Sequence, residues 1–185
     1  FNYQERMPCK IKPMSMKCIS THCDSRSYPV KVWRTLRQFI SNKLHCIKEQ
    51  VDCFITVSSF SERIIQQYLP EANFRRVDNP ISFNKNKRSQ PSDHKLFTFI
   101  GRLDPEKGAS VLAKAAVIAG VDVRFVGSGA EYDLIKSINS RAQLLGWRNS
   151  KEVRDFISSS RAVVFPSLLY ETQGMVVADS FALGI

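Results

Sequence analysis

The second half of the chain alternates short apolar runs with stretches of helical period. Four runs have the length of strands: LFTFIG, VDVRFVG, AQLLG and AVVFP. Helical patterns follow them, such as GASVLAKAAVIAG, YDLIKSINS, SKEVRDFISSS and GMVVADSFALG, the third with Ser150 as its expected N-cap. Because apolar strands alternate with helices, this half predicts the α/β class with a parallel sheet and right-handed crossovers.

The first half has a weaker pattern. Residues 1–30 carry three prolines and predict irregular structure. Residues 30–47 predict a helix, whose apolar positions recur at three- and four-residue steps: Val32, Leu36, Phe39, Ile40 and Leu44. CFITVS then predicts a strand. SSFSERIIQQYL predicts a helix that ends at Pro70, with an N-cap among Ser58, Ser59 and Ser61.

A polar segment separates the two halves. Residues 83–95, FNKNKRSQPSDHK, predict a linker between a first domain, residues 1–82, and a second domain, residues 96–185. The sequence begins at Phe1 and ends in SFALGI, inside an apolar pattern. We therefore expect a piece of a longer protein, with the second domain truncated at its C-terminus.

Positive charge is concentrated in the first half. Residues 1–90 hold 16 Lys and Arg against 7 Asp and Glu, and residues 91–185 hold 11 against 10. Arg34, Arg37 and Lys43 lie largely off the apolar stripe of the predicted helix, so its polar side is cationic. A basic half suits an anionic membrane surface, nucleic acid or a phosphate-bearing substrate; the alternative is a solvated basic face. The sequence has no run of about 18 apolar residues, so it predicts no membrane-spanning helix.

All five cysteines lie in the first half: Cys9, Cys18, Cys23, Cys46 and Cys53. An odd number argues against a fully paired disulfide framework, and reduced thiols are the expectation. His22 lies between two of them and allows a zinc site. The spacing is irregular and no C-x-x-C pair occurs, so zinc is the weaker interpretation.

The loops after the strands carry the candidate chemistry, because ligands of such sheets bind beyond the carboxyl ends of the strands. The loop GRLDPEKG places Arg102 and Lys107 where both can contact one anion beside a helix N-terminus. A guanidinium and an ammonium together suit a diphosphate. The alternative is that Arg102 pairs with Asp104 or Glu106 at the surface. In a second loop, GSG at 127–129 lacks the full G-x-G-x-x-G spacing, so a plain turn is an equal interpretation.

The loop PSLLYETQG places Glu171 before a helix, Gly174 at its start and Asp179 inside it. Carboxylates accept hydrogen bonds from sugar hydroxyls, and a glycine lets the amides of Met175 and Val176 approach a ligand closely. Two cations for a diphosphate and two carboxylates for hydroxyls together indicate a sugar nucleotide. The alternative is that Glu171 caps the helix and Asp179 is a solvated helix residue.

Four stretches occur in the order and spacing of a known family: FIGRLDPEKGASVLAKA, VRFVGSGAE, LLGW and VVFPSLLYETQGMVVADSFALG. The second half resembles the C-terminal domain of the retaining GT-B glycosyltransferases called glycosyl transferases group 1, or family four. Upstream, CFITVSSFSERIIQQYL and VDNPIS resemble the end of the family's N-terminal domain and its crossing segment. The resemblance implies a Rossmann-like parallel sheet with helices on both faces, plus a partial N-terminal α/β domain.

The resemblance also implies roles for individual residues. Arg102, Lys107 and Glu171 would be catalytic: the cations hold the donor diphosphate and neutralise its charge, and the acid touches the donor sugar. Six further positions would contact the donor: Gly101, Gly127, Gly174, Met175, Val176 and Asp179. No metal or cofactor is expected, because the two cations take its place. Two positions depart from the family: 179 carries Asp instead of Glu, and 173 carries Gln instead of an aromatic or aliphatic residue.

The function implied is transfer of a sugar, with retention, from a nucleotide-sugar donor to a saccharide or lipid-linked acceptor in bacterial surface polysaccharide synthesis. We expect the protein in the cytoplasm, with peripheral contact to the inner face of the membrane through its basic first half. The family's opening strand and Gly-rich turn are missing before residue 30, so the fragment alone is expected to be inactive. His22 and His45 are acceptor-side candidates by residue type only.

The competing interpretation is a non-catalytic module that binds a membrane or nucleic acid through the basic half. Binding of nucleic acid is not expected, because the basic helix has few aromatic residues, and Trp33 and Phe39 both lie on its apolar side, which gives little support for base stacking.

Overall fold

The computed structural model describes residues 2, 4, 9–24, 26–45, 50–81 and 89–185. The chain divides into two compact units, Phe1–Asp78 (unit 1) and Asn79–Ile185 (unit 2). The first six residues of the predicted linker 83–95 lie outside the described residues. None of the described helices combines the length and the apolarity needed to cross a membrane.

Three helices lie wholly within the described part of unit 1, together with a small parallel sheet. The helices are α1 (Met16–Ser20), α2 (Tyr28–His45) and α3 (Ser59–Gln66), and the strands β1 (Phe54–Thr56) and β2 (Phe74–Arg76) pair in parallel. Ser58 caps α3 by accepting a hydrogen bond from the amide of Ser61, as one of the three predicted serines. Helix α1 was not expected among residues 1–30. It forms because the hydroxyl of Ser15 accepts from the amide of Cys18 and closes its single turn.

Helix α2 begins two residues before the predicted start. The apolar stripe that the sequence pattern defines on this helix is exposed at its described positions. Val32 is 38% exposed, and Leu36, Phe39 and Ile40 are between 47% and 56% exposed. Amphipathic periodicity indicates which face of a helix is apolar, but it does not supply the surface that covers that face.

Unit 2 has the predicted alternation of strands and helices. Its strands are β3 (Phe97–Ile100), β4 (Val123–Val126), β5 (Gln143–Leu144) and β6 (Ala162–Val163). All pair in parallel, in the order β5-β4-β3-β6. The helices are α4 (Ala109–Ala119), α5 (Tyr132–Ile138), α6 (Ser150–Ser158) and α7 (Met175–Leu183), with short 3-10 turns at Pro91–Asp93 and Pro105–Lys107.

Two apolar clusters cover opposite faces of this sheet. Phe99 and Phe125 pack with α4 and α5, and their rings lie 5.7 Å apart. Ile100 and Val126 pack with α6 and α7. Successive strand residues point to opposite faces, so these neighbouring pairs must belong to different layers. The predicted α/β fold with helices on both faces is therefore confirmed.

One charged side chain lies inside the second layer. Arg124 on β4 is only 6% exposed and donates hydrogen bonds to Thr98 Oγ1 and to the Phe156 carbonyl, at 3.1 and 2.9 Å. It also contacts the carbonyl and hydroxyl of Ser159 at the end of α6. Burial lowers the pKa of the Arg124 guanidinium. Its charge is met by the carbonyls at the negative end of a helix, since no carboxylate in the described part of the chain pairs with it.

Asn149, rather than the predicted Ser150, is the N-cap of α6. Its side chain accepts from the amides of Lys151 and Glu152 at 3.0 Å, and Glu152 accepts from the Asn149 amide in return. Ser150 is the first residue inside the helix. Both types are good N-caps, so the sequence alone could not choose between adjacent positions.

Replacing Asn149 with alanine should lower the free energy of unfolding by about 1 kcal/mol, because two helix amides lose their acceptor. Ser150→Ala should change it by less than about 0.5 kcal/mol. Urea denaturation of both variants measures the difference. Equal losses would show that the cap is shared rather than centred on Asn149.

Candidate functional site

The carboxyl ends of β3 and β4 meet at two glycines. Gly101 has φ +155° and Gly127 has φ +144°, backbone conformations that side chains rarely adopt. A Cβ on Gly127 would overlap the carbonyl oxygen of Gly101, well inside the 3.0 Å that real Cβ atoms essentially never cross. The amide of Gly101 donates to the carbonyl of Val126 at 3.0 Å. Glycine at 127 is therefore required by the close approach of the two strand ends.

Arg102, directly after β3, is engaged within its own loop. It forms an ion pair with Asp104 and a longer one, 3.4 Å, with Glu106. This is the surface pairing that the sequence allowed as the alternative to phosphate contact. The side chain is 65% exposed, and its forked donors remain accessible from solvent.

Lys107 forms an ion pair with Glu171 of the loop after β6. The hydroxyl of Ser167 donates to the same carboxylate oxygen at 3.1 Å. Both charged side chains are mostly buried, 22% and 25% exposed, so water screens their attraction less than that of Arg102. The structure thus brings together a cation and an acid that the sequence placed 64 residues apart.

Backbone contacts hold these two loops together beside the ion pair. The amides of Leu168 and Leu169 donate to the carbonyl of Glu106 at 2.9 and 3.3 Å. Gly108, with φ +71°, lies so close to the carbonyl of Pro166 that a Cβ would overlap it. Lys107 and Glu171 are therefore held in contact by the fold and not only by their charges.

One interpretation of the sequence made Glu171 the cap of α7, and the start of this helix differs from it. Gly174 is its N-cap and no side chain bonds there, so Glu171 does not cap it. The amide of Met175 donates to the carbonyl of Gln173 at 3.0 Å, and Val176 packs against the apolar layer under α6 and α7.

Two polar side chains near α7 bear on the predicted donor contacts. Asp179 is partly buried and forms no hydrogen bond or ion pair with the described residues. Gln173, one of the two family departures, accepts a hydrogen bond from the amide of Asn79 at 3.2 Å. Its side chain therefore ties the loop before α7 to the first residue of unit 2.

Glu131 is a buried acid at the N-terminus of α4 that the sequence interpretation did not single out. It is 8% exposed, and its carboxylate accepts from the amide and the hydroxyl of Ser110 at 3.3 and 2.9 Å. The sequence predicted a donor phosphate beside the N-terminus of α4. In the structure a carboxylate of the chain contacts that helix end. Glu131 directly precedes α5, so local spacing suggests a cap of that helix. Its contact with α4 depends on the tertiary approach of two loops.

The described residues contain no group of three or more His, Cys, Asp or Glu side chains that could hold a metal ion. The zinc interpretation of Cys9, Cys18, Cys23 and His22 therefore finds no support in the described structure. These three cysteines and Cys53 are free thiols, and Cys46 lies outside the described residues. The ring of His22 stacks on Tyr28 with centroids 6.0 Å apart, while the side chain of His45 is not described.

Comparison with known proteins identifies the family of unit 2. The model of the family Glycosyl transferases group 1 matches residues 94–185. This half of the chain belongs to that family. The predicted membership of glycosyl transferases group 1 is therefore confirmed for this segment, which contains β3 to β6 and every residue assigned to the donor. No curated protein matches the chain.

Solved glycosyltransferases share the fold at low identity. S. aureus TarM, in complex with fondaparinux, alpha-GlcNAc-glycerol and UDP, has a TM-score of 0.61 and 18% identity over 81% of this chain and 31% of its own. Pneumococcal GtfA, an O-GlcNAc transferase in complex with UDP and GlcNAc, has a TM-score of 0.55 and 18% identity, over 74% of this chain and 29% of its own. Anabaena HepE, in complex with UDP and glucose, has a TM-score of 0.56 and 17% identity, over 93% of this chain and 49% of its own. The chain spans less than half of each protein, and the likeness confirms the GT-B class of fold.

Proposed function

We propose that this chain is the donor-binding part of a glycosyltransferase that moves a sugar, with retention, from a nucleotide sugar to a saccharide or lipid-linked acceptor. The observation that carries the proposal is the pairing of Lys107 with Glu171 inside the family segment. It joins one cation and one acid on two loops beyond the carboxyl ends of β3 and β6, where parallel sheets bind ligands.

Lys107 and Arg102 are proposed to hold the donor diphosphate. Each now contacts carboxylates of the chain, so a diphosphate would compete with Glu171 for Lys107 and with Asp104 for Arg102. As the bond from sugar to phosphate breaks, negative charge grows on the leaving diphosphate. A fixed ammonium beside it stabilises that charge without a metal ion.

When the donor binds, Glu171 would release Lys107 and turn to the donor sugar. There it would accept hydrogen bonds from the sugar hydroxyls or face the positive charge that develops on the sugar. Asp179 is proposed to accept from the ribose hydroxyls, and its lack of a partner in the described chain leaves both oxygens available. The remaining donor contacts are proposed at Gly101, Gly127, Gly174 and the amides of Met175 and Val176.

The donor is proposed to be a UDP-hexose, since three proteins of similar fold were solved with UDP. The acceptor class is a saccharide or a lipid-linked saccharide of a bacterial surface polysaccharide. The protein is proposed to lie in the cytoplasm, with peripheral contact to the inner face of the membrane. Exposed Trp33 and Leu36 beside Arg34 and Arg37 support that contact, and sedimentation with phosphatidylglycerol vesicles measures it.

Lys107→Gln is expected to weaken UDP binding by about tenfold or more, because one charge-assisted contact to the diphosphate is lost. Lys114→Gln removes the same charge from an exposed position of α4 and should change the affinity less than about twofold. Isothermal titration of the 185-residue chain at fixed ionic strength measures both.

Glu171→Gln tests whether Lys107 binds the diphosphate or whether its ion pair only holds the two loops together. If Lys107 holds the diphosphate, losing its competitor should leave UDP affinity unchanged or raise it. If the ion pair only braces the loops, both substitutions should weaken UDP equally. A chain that binds no UDP but binds nucleic acid in a salt-sensitive way would instead support the non-catalytic basic module.

A further inference from the structure

Unit 1 contains a cavity that the donor site does not use. Its volume is about 400 Å³, within the range of small-molecule sites, and it lies between residues 13–24 and helix α2. Three cations on α2 line it: Lys31, Arg34 and Arg37. The first two are one helical turn apart, so their side chains leave the helix on the same face.

Lys31 lies in the wall of the cavity. It is 5% exposed, and its ammonium donates to the carbonyls of Cys18, Ile19 and Thr21 at the end of α1. These acceptors are neutral, and none of the ion pairs in the described structure includes Lys31. A buried ammonium held by dipoles alone projects positive potential into the space beside it.

Among the described residues, Asp24 is the one carboxylate that lines the cavity. Asp24 is buried, and the amide of Arg26, with help from the charge of Arg34, holds the pKa of Asp24 below its usual range. The Asp24 carboxylate contacts Nη1 of Arg34 at 2.6 Å. It therefore stays ionised at neutral pH and balances one of the three cations.

The two arginines present forked donors to the cavity. Arg34 uses Nη1 for Asp24, and its side chain is 52% exposed. Arg37 lies with its guanidinium carbon 5.3 Å from the centroid of the Trp33 ring. Stacking on a ring face leaves the in-plane N–H groups of a guanidinium free to bind an anion.

We propose that this cavity binds a phosphate monoester. Three cations against one carboxylate leave an excess charge of about two, which matches a dianion, and forked arginines suit the tetrahedral oxygens of phosphate. The site lies wholly in unit 1 and does not depend on donor binding by unit 2. The same phosphate chemistry can come from a soluble sugar phosphate or from the headgroup of a lipid.

The full chain is titrated with glycerol 3-phosphate and with inorganic phosphate, in the presence of saturating UDP to occupy any nucleotide site. Arg34→Gln and Arg37→Gln should each weaken binding about tenfold. Arg75→Gln, which removes the same charge from exposed strand β2 of the same unit, should change it less than about twofold. Equal effects of Arg34→Gln and Arg75→Gln would overturn the proposal, and so would an absence of binding to glycerol 3-phosphate, to inorganic phosphate and to phosphatidic acid vesicles alike.

Asp24→Asn should change the phosphate affinity in the opposite direction to the arginine variants. Loss of folding cannot produce such a gain, so this variant keeps the test informative. The amide keeps an acceptor for the Arg26 amide but no longer competes for Arg34, so phosphate affinity should rise about threefold or more. A fall would contradict an anion site.

Flotation with phosphatidic acid vesicles identifies the source of the phosphate. Binding to vesicles that Arg34→Gln removes, without binding of glycerol 3-phosphate, assigns the site to a lipid headgroup. The reverse result assigns it to a soluble phosphate ester.

Discussion

Gly108→Ala is expected to lower the free energy of unfolding of unit 2 by about 3 to 5 kcal/mol. The residue has φ +71° and ψ +20°, and a Cβ there would overlap the backbone carbonyl of Pro166. Backbone atoms cannot rotate away as the end of a side chain can. The loops after β3 and β6 must therefore separate, and the Lys107–Glu171 ion pair must loosen with them.

Gly120→Ala is the matched control for that substitution. Its φ of +66° is nearly the same, but nothing lies within 4 Å of the Cβ it would gain. It should cost only the left-handed strain, about 1 kcal/mol. Urea denaturation of both variants separates overlap from strain, and UDP titration of Gly108→Ala should show weaker binding. Equal losses of stability would mean that the two loops do not approach as closely as described.

Sequence periodicity predicted the elements that bury an apolar face. Strands β3 to β6 and helices α4 to α7 all occur where the pattern placed them. The sequence missed α1, five residues long, which forms around one serine cap, and β2, whose Phe-Arg-Arg lacks the alternation of a half-buried strand. Strand β2 forms because β1 offers it a parallel partner and Phe54 packs on Phe74. Such elements depend on neighbours that a local pattern does not contain.

The residue types of the candidate site could be predicted, but their pairing could not. The sequence shows that Lys107 and Glu171 each follow a strand. Their two loops are neighbours because β6 pairs with β3, and this strand order is seen only in the structure. The same reason explains Glu131, which reaches the N-terminus of a helix other than the one it precedes. The donor roles of these residues stay predictions, because the comparisons establish the family and the fold only.

Arg124→Ala is expected to lower the free energy of unfolding by about 3 kcal/mol, since it removes buried packing and leaves acceptors unmatched. The guanidinium fills the space between β4 and α6, with its carbon 4.8 Å from the centroid of the Phe156 ring. Without it, the carbonyl of Ser159 at the end of α6 loses a buried donor. Arg141→Ala is the control. That side chain is 69% exposed and pairs with Asp122 at the surface, so its loss should cost less than about 1 kcal/mol.

Arg124→Met separates the two contributions in the same denaturation experiment. Methionine restores most of the volume but none of the donors. The hydroxyls of Ser159 and Ser160 already donate to the carbonyl of Phe156, at 3.2 and 2.6 Å, so that acceptor keeps partners after the substitution. If packing dominates, Met should recover most of the loss seen with Ala, because it fills most of the space that Ala leaves empty. Both variants remove the buried charge whose desolvation lowers the pKa of Arg124, so that effect does not distinguish them. If hydrogen bonds to the end of α6 dominate, Met and Ala should be equally destabilised. An Arg124→Ala variant no less stable than Arg141→Ala would show that the buried charge contributes nothing to the fold.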